Sequence, residues 1–407
     1  MTVNSTKDRP AMAAPTSIRG RIIVLAALAS VGTFATSILL PSLPSIAKSL
    51  NVSTAAVASA VSMYLAVFAG GQLIVGPLSD RYGRWKPVVF GLGIFVLGSI
   101  WCEFSTDLPT LLVGRCIQAL GACAASVLSR AIARDLLSGE ALTRGMAFIT
   151  VAMAAAPGFS PLIGGLLDST FGWRSEFFVV ALFGAIVGFS YFQFVGETHR
   201  PDRTVPVQIS GVLRGYGELL IDPRFIAPAG TIGLAMGGLF AIFTGSPRIV
   251  IEDLGFSAVQ LGLFFASTVI AVFGSGMMAP RIALRVGHRR ATAIGLSIAF
   301  AGGIALSLTH WIEISIWSYF ACVMIFLSGF GMVSPLATAT ALQPFGDRAG
   351  LASALLGFLQ MAGATLGVVL TALIANATLA VGAVQAMLTL SGLILYLAGT
   401  RPRLTEK

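Results

Sequence analysis

Twelve apolar stretches recur along this chain, each close to the ~20 residues that an α-helix needs to cross about 30 Å of hydrocarbon. They fall at 22–45, 55–77, 87–106, 109–130, 145–167, 175–196, 225–247, 258–279, 291–309, 315–338, 350–373 and 382–399, here spans 1 to 12. So many runs of one length cannot be the strands or core helices of a soluble fold. In lipid the backbone must satisfy its own hydrogen bonds, and a helix does so within one segment. Composition agrees: 56% of the 407 residues are hydrophobic, 11% are charged and the mean hydropathy is +0.88. Soluble domains carry roughly a quarter charged residues. The expected fold class is an all-α membrane protein of twelve transmembrane helices, with the lipid bilayer as its principal partner.

The first residues are polar and include Lys7, Arg9, Arg19 and Arg21. The apolar run after them exceeds the ~7–15 residues of a cleaved secretory signal, so it reads as a retained first span. The longest polar interval, 197–224, holds Pro201, Pro206 and Pro223 and divides the spans six and six. The domains expected are an N-terminal tail (1–21), a six-helix bundle (22–196), a linker (197–224), a second bundle (225–399) and a C-terminal tail (400–407).

Charge placement sets the orientation. Of the 26 lysines and arginines, only Lys48, Arg174 and Arg248 fall on the side opposite the tails, and Arg115 lies inside a span. Basic loops stay cytoplasmic, so both termini are expected in the cytoplasm of a cell whose inner membrane the chain spans. This distribution also accounts for the net charge of +9 without a nucleic-acid partner, since no basic face forms. Cys102, Cys116, Cys123 and Cys322 all lie within apolar stretches and read as small hydrophobes, with neither a disulfide nor a metal site expected. No cofactor motif, HExxH, nucleophile elbow or phosphate loop occurs, so an enzyme is not expected. The sequons at Asn51 and Asn376 read as chance matches.

The segment 76–84 (GPLSDRYGR) aligns with 280–288 (PRIALRVGH), matching Arg81 to Arg285 and Gly83 to Gly287 after the second span of each half. Duplicated halves place a substrate between them near the membrane midplane. In the loop expected at 76–87, Gly76 and Gly83 permit tight turns and Pro87 suits a helix start. Asp80 can accept from amides or pair with an arginine, while Arg81, Arg84 and Lys86 hold the loop in the cytoplasm. In span 4, Arg115 falls roughly 10 Å inside the outer boundary at 1.5 Å per residue. An arginine at that depth faces a polar cavity or a partner, or snorkels to the interface. Gln118, Ala122, Ser126 and Ser129 continue its face. Span 5 contains Pro157, Gly158, Pro161, Gly164 and Gly165, a combination that permits bending and close packing.

The 76–87 loop resembles the signature loop of the major facilitator superfamily, which implies two pseudo-symmetric six-helix bundles and a conformational latch between them at Gly76, Asp80, Arg81, Gly83 and Arg84. Span 4 is similar to the motif of proton-linked drug exporters whose arginine is implicated in coupling. Span 5 resembles the Gly–Pro signature of exporters, with Ala156 where glycine is usual. The stretches 39–50, 129–137, 172–178, 240–250 and 350–360 look like the bicyclomycin-resistance (Bcr/CflA) drug exporters, over nearly the whole chain. The resemblance implies secondary active efflux of small organic molecules by alternating access, with protons as coupling ion and a monomeric carrier. The cavity would be lined by spans 1, 2, 4, 5, 7, 8, 10 and 11. Thr33, Ser37, Tyr64, Gln72, Arg115, Gln118, Phe240 and Phe243 are candidate lining residues, although the aromatic ones are as readily explained by packing.

One departure bears on coupling. Relatives carry an acid in span 1 where this chain has Ser37, and none of its 17 acids falls near the middle of a span. Glu103 is nearest, at the outer end of span 3; Asp135 is expected in a cytoplasmic loop, and Asp168 and Glu176 in outer loops. His199, His288 and His310 fall at loops. A proton carrier needs a group whose pKa moves with burial and partners. Glu103 or Asp135 serves from a flank, or coupling runs through substrate charge near Arg115, or the chain is an uncoupled facilitator or importer of a metabolite such as a sugar or organic acid. With no mid-membrane carboxylate, Arg115 favours neutral or anionic substrates over cations.

Overall fold

The computed structural model describes residues 18–198, 209–311 and 314–400. Twelve long helices form the body: α1 (Ile18–Ser37), α3 (Thr54–Tyr82), α4 (Trp85–Glu103), α5 (Leu108–Leu136), α6 (Gly139–Phe171), α7 (Arg174–Phe194), α9 (Pro223–Pro247), α10 (Ala258–Val286), α11 (His288–Leu308), α12 (Ile316–Leu342), α13 (Ala349–Ala372) and α14 (Ala377–Gly399). Two short helices join them, α2 (Leu43–Leu50) and α8 (Ile209–Ile221). Among the described residues, eleven helical segments are long and apolar enough to cross a membrane. The remaining long helix, α6, has 33 residues. With an even number of passes, Ile18 and Thr400 lie at one end of the bundle, called here the tail end; the other is the far end.

The two halves repeat one packing scheme. α1 packs on α5, α6 and α7, as α9 packs on α12, α13 and α14; α4 lies on α5 and α7, as α11 lies on α12 and α14. The halves meet along two seams, α3 against α13 and α6 against α10. A twofold that exchanges α3 with α10 also exchanges α13 with α6, so the seams are equivalent. The aligned glycines repeat in conformation as well as position: Gly83 ends α3 at φ 84° and Gly287 ends α10 at φ 87°. Only glycine adopts this region freely, which is why the pair is legible in the sequence.

Helix starts at the far end follow local capping chemistry. Ser53 caps α3 and Ser257 caps α10, while Asp107 and Ser315 form reciprocal capping boxes at α5 and α12. The sequon asparagines serve the same purpose. Asn51 closes α2 at φ 54°, and the Asn376 side chain accepts from Leu379 N at 2.8 Å to start α14.

Several boundaries differ from expectation. Span 1 stops at Ser37; a 3-10 turn at Leu40–Ser42, opened by Pro41, redirects the chain into α2. The expected loop at 76–87 is helical through Tyr82, so Gly76 makes no turn and only Gly83 and Arg84 separate α3 from α4. Apolar counting stopped at the polar residues, but a helix end projecting past the hydrocarbon keeps its hydrogen bonds in water. For the same reason Asp135 belongs to the last turn of α5 and Asp168 to α6. Prolines 157 and 161 lie within an uninterrupted α6. The linker, expected as a polar interval, contains α8.

Candidate functional site

Arg115 occupies the centre of a polar core in the first half. It is fully buried on α5. Its Nη1 donates to the Ala35 carbonyl of α1 at 3.1 Å and to Gln118 Oε1, and its Nε donates to the Ala60 carbonyl of α3 at 3.3 Å. The guanidinium carbon lies 4.1 Å from the centroid of the Tyr64 ring, an offset for its charge where water is excluded. Gln118, one turn on, donates through Nε2 to Ser99 Oγ of α4 at 2.7 Å. Tyr64 in turn donates to the Gly32 carbonyl at 3.2 Å. One side chain thus ties α1, α3 and α5 together, with α4 joined through Gln118. Nη2 finds no partner among the described residues.

Sequence spacing brought Arg115, Gln118, Ala122, Ser126 and Ser129 to one face, and all five are buried together. The other predicted lining residues distribute differently. Ser37 is buried and Thr33 half-buried on α1, where the Thr33 hydroxyl donates to its own helix at the Ser30 carbonyl, 3.1 Å away. Gln72 is buried against Gly357 of α13, in the seam between the halves, where a methyl group on Gly357 would collide with its amide.

In the second half, Phe240 and Phe243 meet edge-to-face at 5.4 Å and continue into a larger aromatic cluster. Phe243 contacts Phe265 at 5.4 Å, and Phe264 stacks on Tyr319 at 5.4 Å. The Tyr319 hydroxyl lies 2.6 Å from Ser246 Oγ on α9. Phe264, Phe265 and Tyr319 were missed in the sequence, where the adjacent pair in span 8 was the available signal. The protein therefore sets a polar, arginine-centred core in one half against an aromatic one in the other.

The α6 motif lies in the seam with α10. A methyl group at Gly165 would sit 2.5 Å from the Ala258 carbonyl oxygen, and one at Gly262 only 2.9 Å from Leu162 N. Gly158 faces Val269 of α10 with no room for a side chain, and Gly164 faces the Ile38 carbonyl of the first half itself. Beyond this seam the far ends are joined by Thr54, whose hydroxyl donates to Glu252 at the edge of an open groove of about 380 Å³ that Lys48 and Arg248 also line.

At the tail end, Arg84 is mostly buried; its Nε lies 3.1 Å from Asp135 Oδ2, and Nη1 donates to Ser79 Oγ. The Glu197 carboxylate accepts from Arg84 N at 2.8 Å and Trp85 N at 3.2 Å, capping α4 from the end of α7. These contacts of Arg84 lie within the first half, whereas a latch between halves was expected. The side chains of Asp80 and Arg81 lie outside the described residues. At this end α8 bridges the halves: the Tyr216 hydroxyl donates to the Leu73 carbonyl of α3 at 3.2 Å, and Glu218 pairs with Arg348 at 2.5 Å.

Two acids correct the expectation most. Glu176, expected in an outer loop, sits in the first turn of α7 and is fully buried, accepting from the Ser42 hydroxyl. Asp168 is half-buried and accepts from Ser45 Oγ at 2.9 and 2.8 Å. Glu103 ends α4 half-buried, and its carbonyl accepts from Arg174 Nε at 3.1 Å.

Comparison with known proteins agrees with this architecture. Residues 25–368 match the Major Facilitator Superfamily model. The chain is 30% identical to the Uncharacterized MFS-type transporter YdgK of Bacillus subtilis over 388 residues, covering 94% of this chain and 96% of the relative. It is 30% identical to the bicyclomycin resistance protein homolog of Haemophilus influenzae, covering 85% and 87% of the two chains. Multidrug resistance protein D of Escherichia coli is 28% identical, with 92% and 94% covered. Among solved structures, a D-xylose-proton symporter superposes with a TM-score of 0.73 at 15% identity, covering 93% of this chain and 97% of that one. A bacterial homologue of the lysosomal transporter Spinster gives 0.71 at 14%, covering 94% and 96%. Its twelve-helix repeat, its seams and its match over most of its length make this chain a multi-pass membrane transporter that belongs to the major facilitator superfamily.

Proposed function

We propose that this protein is a secondary active exporter of small organic molecules, including drugs, that works by alternating access and is driven by proton antiport. The glycine-lined seam between α6 and α10 carries the conclusion. Helices that meet backbone to backbone without interdigitating side chains can part and rejoin as rigid bodies, as alternating access requires. Near-full-length similarity to proteins named for bicyclomycin and multidrug resistance supports outward transport of such compounds. The asymmetric interior supports a substrate with an apolar or aromatic body and a neutral or anionic polar part, held between the Phe240–Tyr319 cluster and the Arg115 core. Thr33, Ser37, Tyr64, Gln72, Gln118, Phe240 and Phe243 remain its proposed lining, and Glu103 and Asp135 flanking acids. The protein works as a monomer in the inner membrane with both termini in the cytoplasm.

A flux assay in proteoliposomes with an imposed pH gradient tests this. The panel comprises bicyclomycin, a monovalent dye cation and a matched anionic dye. Bicyclomycin and the anion should accumulate against their gradients, and a protonophore should abolish this. Flux that a protonophore leaves unchanged would identify an uncoupled facilitator, and cation transport equal to the anion's would remove the substrate preference.

A further inference from the structure

Glu176 and Arg115 are both fully buried, and each keeps one polar atom, Oε2 and Nη2, without a partner among the described residues. Both are tied to one stretch of chain: Arg115 donates to the Ala35 carbonyl of α1, and Glu176 accepts from Ser42 in the turn that follows α1. Around Glu176, the 3-10 turn contributes the Ser42 hydroxyl and α6 contributes Asp168, the second charged group that acts on it. Ser45, three residues after Ser42 and in the first turn of α2, donates to Asp168, so one short stretch of chain supplies a hydroxyl to each carboxylate. At this end α1 brings no titratable side chain, α4 ends in Cys102 and Glu103, and Tyr64 of α3 covers a face of Arg115.

An unpaired charge removed from water costs several kcal/mol. A carboxylate escapes that cost by binding a proton; a guanidinium does not. Two such groups, buried in the same half but unjoined, have two low-energy arrangements. Parted, the acid carries a proton and is held by a hydroxyl. Joined, the acid is ionised against the arginine. We propose that Glu176 is the proton-binding group of the transport cycle, neutral where Ser42 holds it and charged where it engages Arg115, with Asp168 and Ser45 as its route to the far surface. The assignment rests on the proton-coupled reading above. The transfer moves one proton and no electrons: the O–H bond on Glu176 breaks, one forms on Asp168, and the half-buried Asp168 carboxyl releases the proton to water. It supplies the acid that span 1 lacks at Ser37.

The proton itself is the probe, so no drug is needed. Infrared difference spectra are recorded over pH on the full chain in phosphatidylethanolamine–phosphatidylglycerol vesicles. The wild type should show a protonated-carboxyl band that titrates; E176Q should lack it, and D168N should move its midpoint by about one pH unit. S42A keeps the acid and serves if E176Q does not fold; it should shift the same band. Spin labels at Ser49 and Asp253, exposed at the far ends of opposite halves, should report a distance that follows pH in the wild type and not in E176Q. A band that survives in E176Q or is unmoved by S42A, or an E176Q distance that follows pH as the wild type does, would overturn the proposal. Both readouts are independent of the flux assay, so an exporter whose proton site lies elsewhere is distinguishable from a chain that is not an antiporter.

Discussion

Arg84 Nε and Asp135 Oδ2 meet at 3.1 Å, joining the start of α4 to the last turn of α5 with most of both side chains out of water. Removing Asp135 takes a mostly buried carboxylate away from the Arg84 guanidinium, which weakens the joint between the two helices. We expect D135N to lower thermal stability by about 1–3 kcal/mol, a shift of several degrees at most for a chain of this size. Tryptophan fluorescence of detergent-purified protein during heating measures it. A D135N melting curve that overlays the wild type would mean that the pair contributes nothing.

Arg115 makes three hydrogen bonds to three elements, and a lysine ammonium, a point donor on a flexible stem, cannot reproduce that fork. R115K should therefore fall with R115A, each reducing drug flux at least tenfold while both proteins still elute as monodisperse species in detergent. Full flux through R115K would show that charge alone suffices and geometry does not matter.

The α6–α10 seam has no space for a side chain at Gly262, where even a methyl carbon would lie 2.5 Å from Leu162 Cα. G262L should wedge the far ends apart. Labels at Ser49 and Asp253 should move several ångströms farther apart, and export should drop about tenfold or more, since a carrier held open at one end cannot complete a cycle. An unchanged label distance would place the hinge elsewhere.

Arg348 holds the Glu218 carboxyl below the usual glutamate range, first through its hydrogen bond and then through its charge, with Arg214 adding to both. A depressed folded-state value means the clamp is fully present above the ordinary glutamate pKa and is lost as pH falls through the lowered one. Protection of the α8 amides, taken relative to intrinsic exchange at each pH, should therefore be constant from neutral pH down to about pH 4.3 and fall only below it. In E218Q, that protection should be low throughout and independent of pH over that window. Because both side chains reach solvent, high salt should loosen the clamp even at neutral pH.

Much of the fold was legible because lipid imposes a one-dimensional rule. Each crossing must be about one bilayer long, and arginines collect on one side, so the number of helices and the division into halves could be read by counting. The repeat at Gly83 and Gly287 was legible because a positive φ restricts the residue type. Arg115 was found because an arginine amid apolar residues is conspicuous in any window.

Other features depended on contacts between distant segments. Glu176 looked like a loop residue because hydropathy records only its polarity and its place beside Arg174. What buries it is the turn at Leu40–Ser42, more than 130 residues earlier, which no local pattern announces. The α8 clamp joins Leu73, Tyr216, Glu218 and Arg348 from three separate regions. Phe264, Phe265 and Tyr319 became a cluster only when α10 and α12 packed. By itself the sequence determined that the chain lives in lipid, how often it crosses, and that Arg115 is exceptional among its cations, since each follows from the cost of placing a residue type in hydrocarbon. Tertiary structure alone decided that Glu176 is buried and which helices touch between the halves. Those depend on side chains meeting across the bundle, and proximity in space is not a property of any stretch of sequence.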